Sequence, residues 1–304
     1  MAKVEVLAAL HPKVFCRPYK FRFWKSREVY PLAGLCALGA PHKLFKLVHD
    51  LCPQAARDAV DVECYYAKNV DFLQFLCDQS PAAMSDVDPA TGRLPFHEAC
   101  RRCGSTTGTL QVVKFVFDAY PQALAHKDKC GWTPIHHAFF YSSLRTIQML
   151  MQYIGVDNPL LEQESECGFT ALHLAFLSKH KHVSEFVVEH FPDFLKEARE
   201  NSLPLHKACA YAANAVGIQV LLKNDPDAAK QQDDRGQLAL ALACKNEHFE
   251  NKFDVLELIA RYHPDAIDAV DHAGNPAVDV LTARKLMKYF INQKGVPPAK
   301  RQRT

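Results

Sequence analysis

Four histidines, His97, His136, His173 and His206, stand at matching places along this chain. An imidazole is the side chain best suited to proton transfer or metal ligation near neutral pH. Beside the first of them, His97, Cys100 and Cys103 are spaced His-x2-Cys-x2-Cys, with Cys130 not far on. Those donors would suit zinc. Either chemistry requires the side chains to converge on one point. Their spacing argues otherwise, because each histidine lies inside a phrase that the chain repeats. Leu94-Pro95-Phe96-His97-Glu98-Ala99 returns as Thr133-Pro134-Ile135-His136-His137-Ala138, as Thr170-Ala171-Leu172-His173-Leu174-Ala175 and as Leu203-Pro204-Leu205-His206-Lys207-Ala208. Weaker copies begin at Leu238 and Pro276. The second residues of the six copies lie at 95, 134, 171, 204, 239 and 277. Steps of about 33–39 residues mark a stacked-repeat protein. Stacking spreads the four imidazoles along a row, where backbone hydrogen bonding is their expected use.

The cysteines follow the same register. Cys36, Cys100, Cys209 and Cys244 each follow the inward residue of a first helix, where Cys acts as a small apolar group. Cys130 and Cys167 share a turn position, and only Cys16 and Cys103 fall outside the pattern. The chain has no Gly-x-Ser-x-Gly, no Gly-rich phosphate loop and no His-Glu-x-x-His, since His97-Glu98 lacks the second histidine. Pairs such as Asp233-Asp234 sit at turn tips. No catalytic residue, metal or cofactor is expected.

One unit, residues 128–160, shows how the sequence builds a repeat. Asp128-Lys129-Cys130-Gly131 reads as a turn. Thr133 and Pro134 suit the start of a helix whose Ile135 and Ala138 face inward. A second helix over 144–153 places Ile147, Leu150 and Met151 at core spacing. The second helices end in a shared phrase: Cys52-Pro53, Ser80-Pro81, Tyr120-Pro121, Phe191-Pro192, Asp225-Pro226 and His263-Pro264. Proline disfavours helix in the residue before it, so each helix stops there.

Helix, helix and turn per unit, with Asp-x-x-Gly ahead of Thr-Pro-Leu-His-x-Ala, resembles the ankyrin-repeat family over roughly 29–292. The aromatic-Pro-x-Ala phrase resembles a subtype common in algal ankyrin proteins. Two upstream repeats, around Pro31–Leu51 and Asp61–Cys77, are degenerate, as a terminal unit exposed to water is expected to be. The reading is an all-α solenoid of about eight helix-turn-helix repeats with short turn fingers: 1–28 a basic aromatic segment, 29–292 the array, 293–304 a basic tail.

In that family, partners bind along the turn tips and first helices. Carried over by register, the tip positions are Arg93, Lys129, Trp132, Glu166, Phe169, Arg199, Arg235, Gln237 and His272. The first-helix positions are Arg101, Arg102, Phe140, Tyr141, Tyr211, Lys245 and Asn246. Trp132, Phe140, Tyr141 and Phe169 form an expected aromatic anchor patch flanked by Arg101 and Arg102, because exposed aromatic and Arg residues dominate binding energies.

The 304 residues carry a formal charge of only +2. Residues 1–27 hold seven Lys/Arg and one Glu, and 294–304 hold four Lys/Arg and no acid. The body between is mildly acidic. The segment Phe15–Arg27 interleaves aromatic and basic residues; a strand-like cap on the first repeat is favoured over a polyanion contact. Lys300, Arg301 and Arg303, behind Pro297-Pro298, resemble a nuclear import signal. No apolar run reaches 18 residues, and Met1–Val6 lacks a basic region followed by a long apolar stretch, so neither a membrane span nor a secretory leader is expected. The eleven cysteines therefore read as reduced thiols of an intracellular protein, cytoplasmic or nuclear. The expected function is a monomeric, non-enzymatic scaffold that binds another protein. The alternative is a nuclear regulator touching nucleic acid through its basic ends.

Overall fold

The computed structural model describes residues 19–20, 28–29, 31, 42–52, 59–60, 64, 70–101, 107–196, 202–211, 215–249 and 252–292. Arg102, Arg199, Lys300, Arg301, Arg303, Cys16, Cys36 and Cys103 lie outside them. So do most of Phe15–Arg27 and most of the first helices of both degenerate repeats. Two compact units divide the chain, 1–169 and 170–304.

The first unit contains a two-residue antiparallel ribbon, β1 (Tyr19–Lys20) with β2 (Glu28–Val29), pairing Tyr19 with Val29. Then come the helices α1 (His42–Leu51), α2 (Asp71–Gln79), α3 (Pro95–Cys100), α4 (Thr107–Ala119), α5 (Pro134–Tyr141) and α6 (Leu144–Ile154). The second unit holds α7 (Ala171–Leu177), α8 (Lys181–His190), α9 (Pro204–Ala210), α10 (Ala215–Asn224), α11 (Ala239–Lys245), α12 (Lys252–Tyr262) and α13 (Val280–Asn292). Within each unit, first helices pack on first helices and second on second: α3 on α5 and α4 on α6, then α7 on α9, α8 on α10, α9 on α11 and α10 on α12.

Each hairpin buries one apolar stripe. Phe96, Val112, Val116, Ile135, Phe139, Ile147 and Leu150 are at most 1% exposed. Each buried side chain of this kind contributes about 1.5–3 kcal/mol. The second helices stop where the sequence says they must. Short 3₁₀ turns begin at Pro81, Pro121, Pro192, Pro226 and Pro264. A sixth, Pro159–Leu161, lacks the phrase and is opened instead by Asn158, whose Oδ1 accepts from the Leu160 amide at 3.0 Å.

The turn tips are built alike. The Gly131 amide donates to the Asp128 carbonyl at 2.9 Å, and Asp128 Oδ1 accepts the Cys130 and Trp132 amides, each at 2.9 Å. Asp233 and Asp271 repeat this with Arg235 and Gln237, and with Ala273 and Asn275. Three tips also touch the one before: the Lys129 amide reaches the Thr91 carbonyl at 3.0 Å, the Glu166 amide the Cys130 carbonyl at 3.2 Å and the His272 amide the Arg235 carbonyl at 3.1 Å. Gly131 serves both needs. Its φ of 74° is left-handed, and a Cβ there would lie 2.7 Å from the Glu166 nitrogen.

The last phrase does not form the first helix the repeat pattern predicts. Residues 276–279 run bent and extended, and α13 is the one helix that follows among the described residues. Asp279 stands here where four other repeats have His. Its Oδ1 accepts the Leu281 and Thr282 amides at 3.0 and 2.9 Å, which makes it the N-cap of the next helix.

Gly131→Ala and Gly274→Ala separate the two demands on a tip glycine. A methyl group added at Gly274 (φ 79°) would meet nothing within 4 Å, so its substitution is expected to cost about 1 kcal/mol from backbone strain alone. Gly131→Ala, which adds the clash, should cost at least twice that in urea unfolding. Equal costs would show that the tips do not press on one another.

Candidate functional site

The histidine row is structural, and its chemistry is fixed by the backbone. An amide N–H can only donate, so the ring nitrogen facing it must accept. The Leu94, Thr133, Thr170 and Leu203 amides meet Nδ1 of His97, His136, His173 and His206 at 3.0, 3.2, 3.2 and 3.3 Å. The proton therefore sits on Nε2, which in His97, His136 and His206 donates forward to the next turn. His97 reaches the His126 and Trp132 carbonyls at 3.2 Å each, His136 the Phe169 carbonyl at 3.0 Å and His206 the Gln231 carbonyl at 3.0 Å. The Thr133 and Thr170 hydroxyls add a 2.8 Å contact to Nδ1. Burial pushes His97 down to about 3 and His136 to about 4, and lowers His206.

His97 thus spends both nitrogens on backbone, while burial raises the Cys100 thiol well above its usual range. Neither is offered to a metal. Among the described residues no group of three His, Cys, Asp or Glu is placed to hold one.

The residues nominated for binding separate into two kinds. In the first unit, Trp132, Phe140 and Tyr141 do come together. Their ring centroids lie 5.6 Å (Trp132–Phe140), 4.6 Å (Phe140–Tyr141) and 6.5 Å (Trp132–Tyr141) apart. All three are partly exposed. The Arg101 guanidinium lies over the Tyr141 ring at 5.4 Å, a cation–π contact. Arg93 runs along the same face, and Lys129 is exposed, its Nζ donating to the Pro89 carbonyl at 2.6 Å. Glu166 is exposed one tip further on.

Two nominated residues are interior instead. Phe169 is 4% exposed, so it adds no ring to the patch; its carbonyl receives the His136 bond and its amide donates to Ser165 Oγ at 3.1 Å. Asn246 is 9% exposed and its amide donates to the Cys209 and Ala210 carbonyls. It clamps the free end of the preceding first helix, as Ser142 does at Cys100. In the second unit Tyr211, Arg235, Lys245 and His272 are exposed without forming a cluster. Gln237 and Lys245 both lean on Asp271, at 3.3 and 3.7 Å.

Beneath the patch lies a network that sequence reasoning did not single out. Asp128 Oδ2 takes hydrogen bonds from His137 Nε2 at 3.0 Å and Arg93 Nε at 3.2 Å. Glu98 bridges Arg93 to Arg101, at 3.4 and 2.8 Å. Burial works against ionising Asp128, but the bonds from His137, Trp132 and Cys130 outweigh it and hold the carboxyl below the usual range. Burial lowers His137, with Asp128 opposing and Arg93 and Arg101 reinforcing. A neutral imidazole donating to a carboxylate is the result. Both side chains are 1% exposed, so the pair cannot meet a substrate from solvent. Trp132 and Tyr141 rest on His137, at 5.0 and 6.1 Å. The signal was the doubled His136-His137, whose second member occupies the variable place of the phrase.

With this geometry in view, comparison with known proteins agrees. Residues 104–198 match the family model described as ankyrin repeats (3 copies). The crystal structure of the ankyrin repeat domain of Bcl-3, a member of the IkappaB protein family, superposes over 85% of this chain and 97% of its own, with a TM-score of 0.51 and 16% identity. The architecture is that of an ankyrin-repeat protein. Among curated proteins, the probable 26S proteasome regulatory subunit p28 of Saccharomyces cerevisiae is 28% identical over 226 residues, covering 72% of this chain and 92% of the yeast protein. Among the described residues no helix is long and apolar enough to cross a membrane.

The depressed histidines set an acid limit on stability. Each folded value lies below the unfolded value of 6.5, so the unfolded chain binds more protons between about 4 and 6.5. Stability is intact above 6.5 and falls as pH drops through that window. Unfolding in urea at pH 5 should take up about two protons through His97 and His136, with His137 and His206 adding to them. Proton uptake near zero would refute the burial of the row.

Proposed function

We propose that this protein is an intracellular, non-enzymatic adaptor that binds a partner protein through the aromatic and basic face of its first unit. The observation that carries this is the Trp132–Phe140–Tyr141 cluster held against Arg101. Large rings braced from below lose little freedom on binding, and such rings supply most of the energy at protein interfaces. Glu98 and Asp128 offset Arg93 and Arg101, so the face offers apolar contact with directed donors rather than bare charge. The array over 29–292 is the binding module on this reading, with 1–28 as a cap and 293–304 as a tail. The aromatic-Pro-x-Ala phrase supports the algal-type subtype. The 26S proteasome is the first assembly to examine, because the yeast relative carries the name of a probable regulatory subunit of it.

Proximity labelling in the native cell tests the reading. Trp132→Ala and Tyr141→Ala should each weaken the dominant partner by at least about 2 kcal/mol, roughly 30-fold. Lys114→Ala, exposed on α4, should leave it unchanged, with circular dichroism confirming that all three variants fold. A partner set indifferent to both aromatic substitutions would remove the patch from the interface.

The charge distribution supports a second reading, a nuclear protein that meets nucleic acid through its ends. Duplex DNA affinity that falls steeply between 50 and 200 mM salt, and disappears on deleting 1–27 or 294–304, is its expected signature; an affinity flat in salt would reject it.

A further inference from the structure

A different surface closes the second unit. The 3₁₀ turn Pro264–Ile267, the bent segment at Pro276–Val278 and helix α13 enclose a shallow cavity of ≈ 560 Å³. Its floor is aliphatic: Ile267 and Val278, 3% and 4% exposed, with Met287 40% exposed at the mouth. Leu281 on the same helix is 69% exposed. Arg284 and Lys288 form the rim, and Lys285 lies beside them. All three cations are exposed, and among the described residues none is engaged in an ion pair. Asp268 is the one acid lining the cavity. Of the carboxylates nearby, Asp279 is committed to the Leu281 and Thr282 amides and Glu257 to Arg261, while Asp265 is exposed on the 3₁₀ turn.

This surface is unlike the ordinary end of a repeat stack. A terminal unit needs a polar outer face to stay in water, yet among the described residues nothing covers this apolar cavity. Around it stand three exposed cations against one exposed acid, Asp268, whereas Arg93 and Arg101 of the first-unit patch are each matched by an acid. The segment that follows α13 is a poor occupant. Residues 294–304 carry four Lys/Arg and no acid, so they add to the positive field rather than answer it. The lining sets another candidate aside. A nucleic-acid backbone has no apolar side chain to set on the aliphatic floor, and the lining offers no aromatic ring for a base to stack on.

We infer that this terminal cavity docks an acidic segment of a partner protein, one that places an apolar side chain on Ile267, Val278 and Met287 and carboxylates on Arg284, Lys285 and Lys288. The site is separate from the face proposed above. A chain carrying both would grip a partner, or two partners, at two points, and the linked affinity would exceed that of either alone.

The probe is a fluorescent set of acidic dodecapeptides rich in Glu and Asp, each with one central apolar pair (Leu-Phe, Ile-Leu or Trp-Leu), titrated against the full chain by anisotropy. Binding by at least one of them tighter than about 1 mM is expected. Replacing its apolar pair by Ser-Ser, or substituting Met287→Ser or Arg284→Glu with Lys288→Glu, should weaken it at least tenfold. Trp132→Ala should have no effect, which keeps this result distinguishable from failure of the first-unit patch. The substituted side chains are exposed, and unchanged circular dichroism checks that the variants fold. The inference is overturned if no peptide binds, if the Ser-Ser peptide or a 20-nucleotide polyuridine binds as well, or if vesicles with 30% phosphatidylserine capture the chain through the same residues. It is equally overturned if the substitutions abolish only self-association, which would make the occupant a second copy.

Discussion

The bridge made by a neutral imidazole is the interaction on which each unit depends. A helix starts with amides that have no partner inside the helix, and a turn of irregular chain leaves carbonyls in the same condition. Stacking buries both. In four repeats a histidine meets this need, taking an amide on Nδ1, and His97, His136 and His206 also give Nε2–H to a carbonyl of the turn beyond. Each such bond is worth only about 1 kcal/mol, but a buried group left without one costs about 1–3 kcal/mol. The apolar stripes supply the larger share of the energy. The imidazoles decide how far apart, and in what register, neighbouring hairpins can settle. A lysine or a charged imidazole could not do this, because it has no lone pair to receive the amide.

The same bridge explains why the fold was so legible. Repetition of Pro95, Pro134 and Pro204 with a histidine two places on exposes the register directly, and the prolines after the second helices mark where those helices end. The inward positions Ile135, Ala138, Ile147 and Leu150 follow from helical spacing alone. Legibility fails where one residue changes its task. Asp279 reads as a worn copy of the histidine, yet a carboxylate has no proton to send forward and is a strong acceptor of amides, so it begins a helix in place of sitting inside one. Asn246 and Ser142 read as surface positions after a first helix, although they turn inward to free carbonyls of the preceding hairpin. Phe169 shares Trp132's place relative to the turn glycine, and only packing reveals that one ring is buried and the other is not.

The candidate site was legible in part for the same reason. Register placed Trp132, Phe140 and Tyr141 on one face, and their mutual contacts follow from neighbouring places on one short helix and its lead-in. The support beneath them was not readable, because it joins residues 35 positions apart through a carboxylate that also shapes its own turn. Asp128 has three tasks: it folds the tip, it accepts His137, and it anchors Arg93. The patch is therefore held as the turn is held, and the proposed binding face inherits its geometry from the scaffold.

Asp279 has a consequence for how such chains change length. Nothing in a stack of like hairpins counts its own members, so an array could run on until the polypeptide ends. Here a single carboxylate converts the opening of another hairpin into the start of a lone helix. Duplication of an internal hairpin upstream would lengthen the protein while leaving this terminus intact, and the surface that closes the stack would travel with it unchanged.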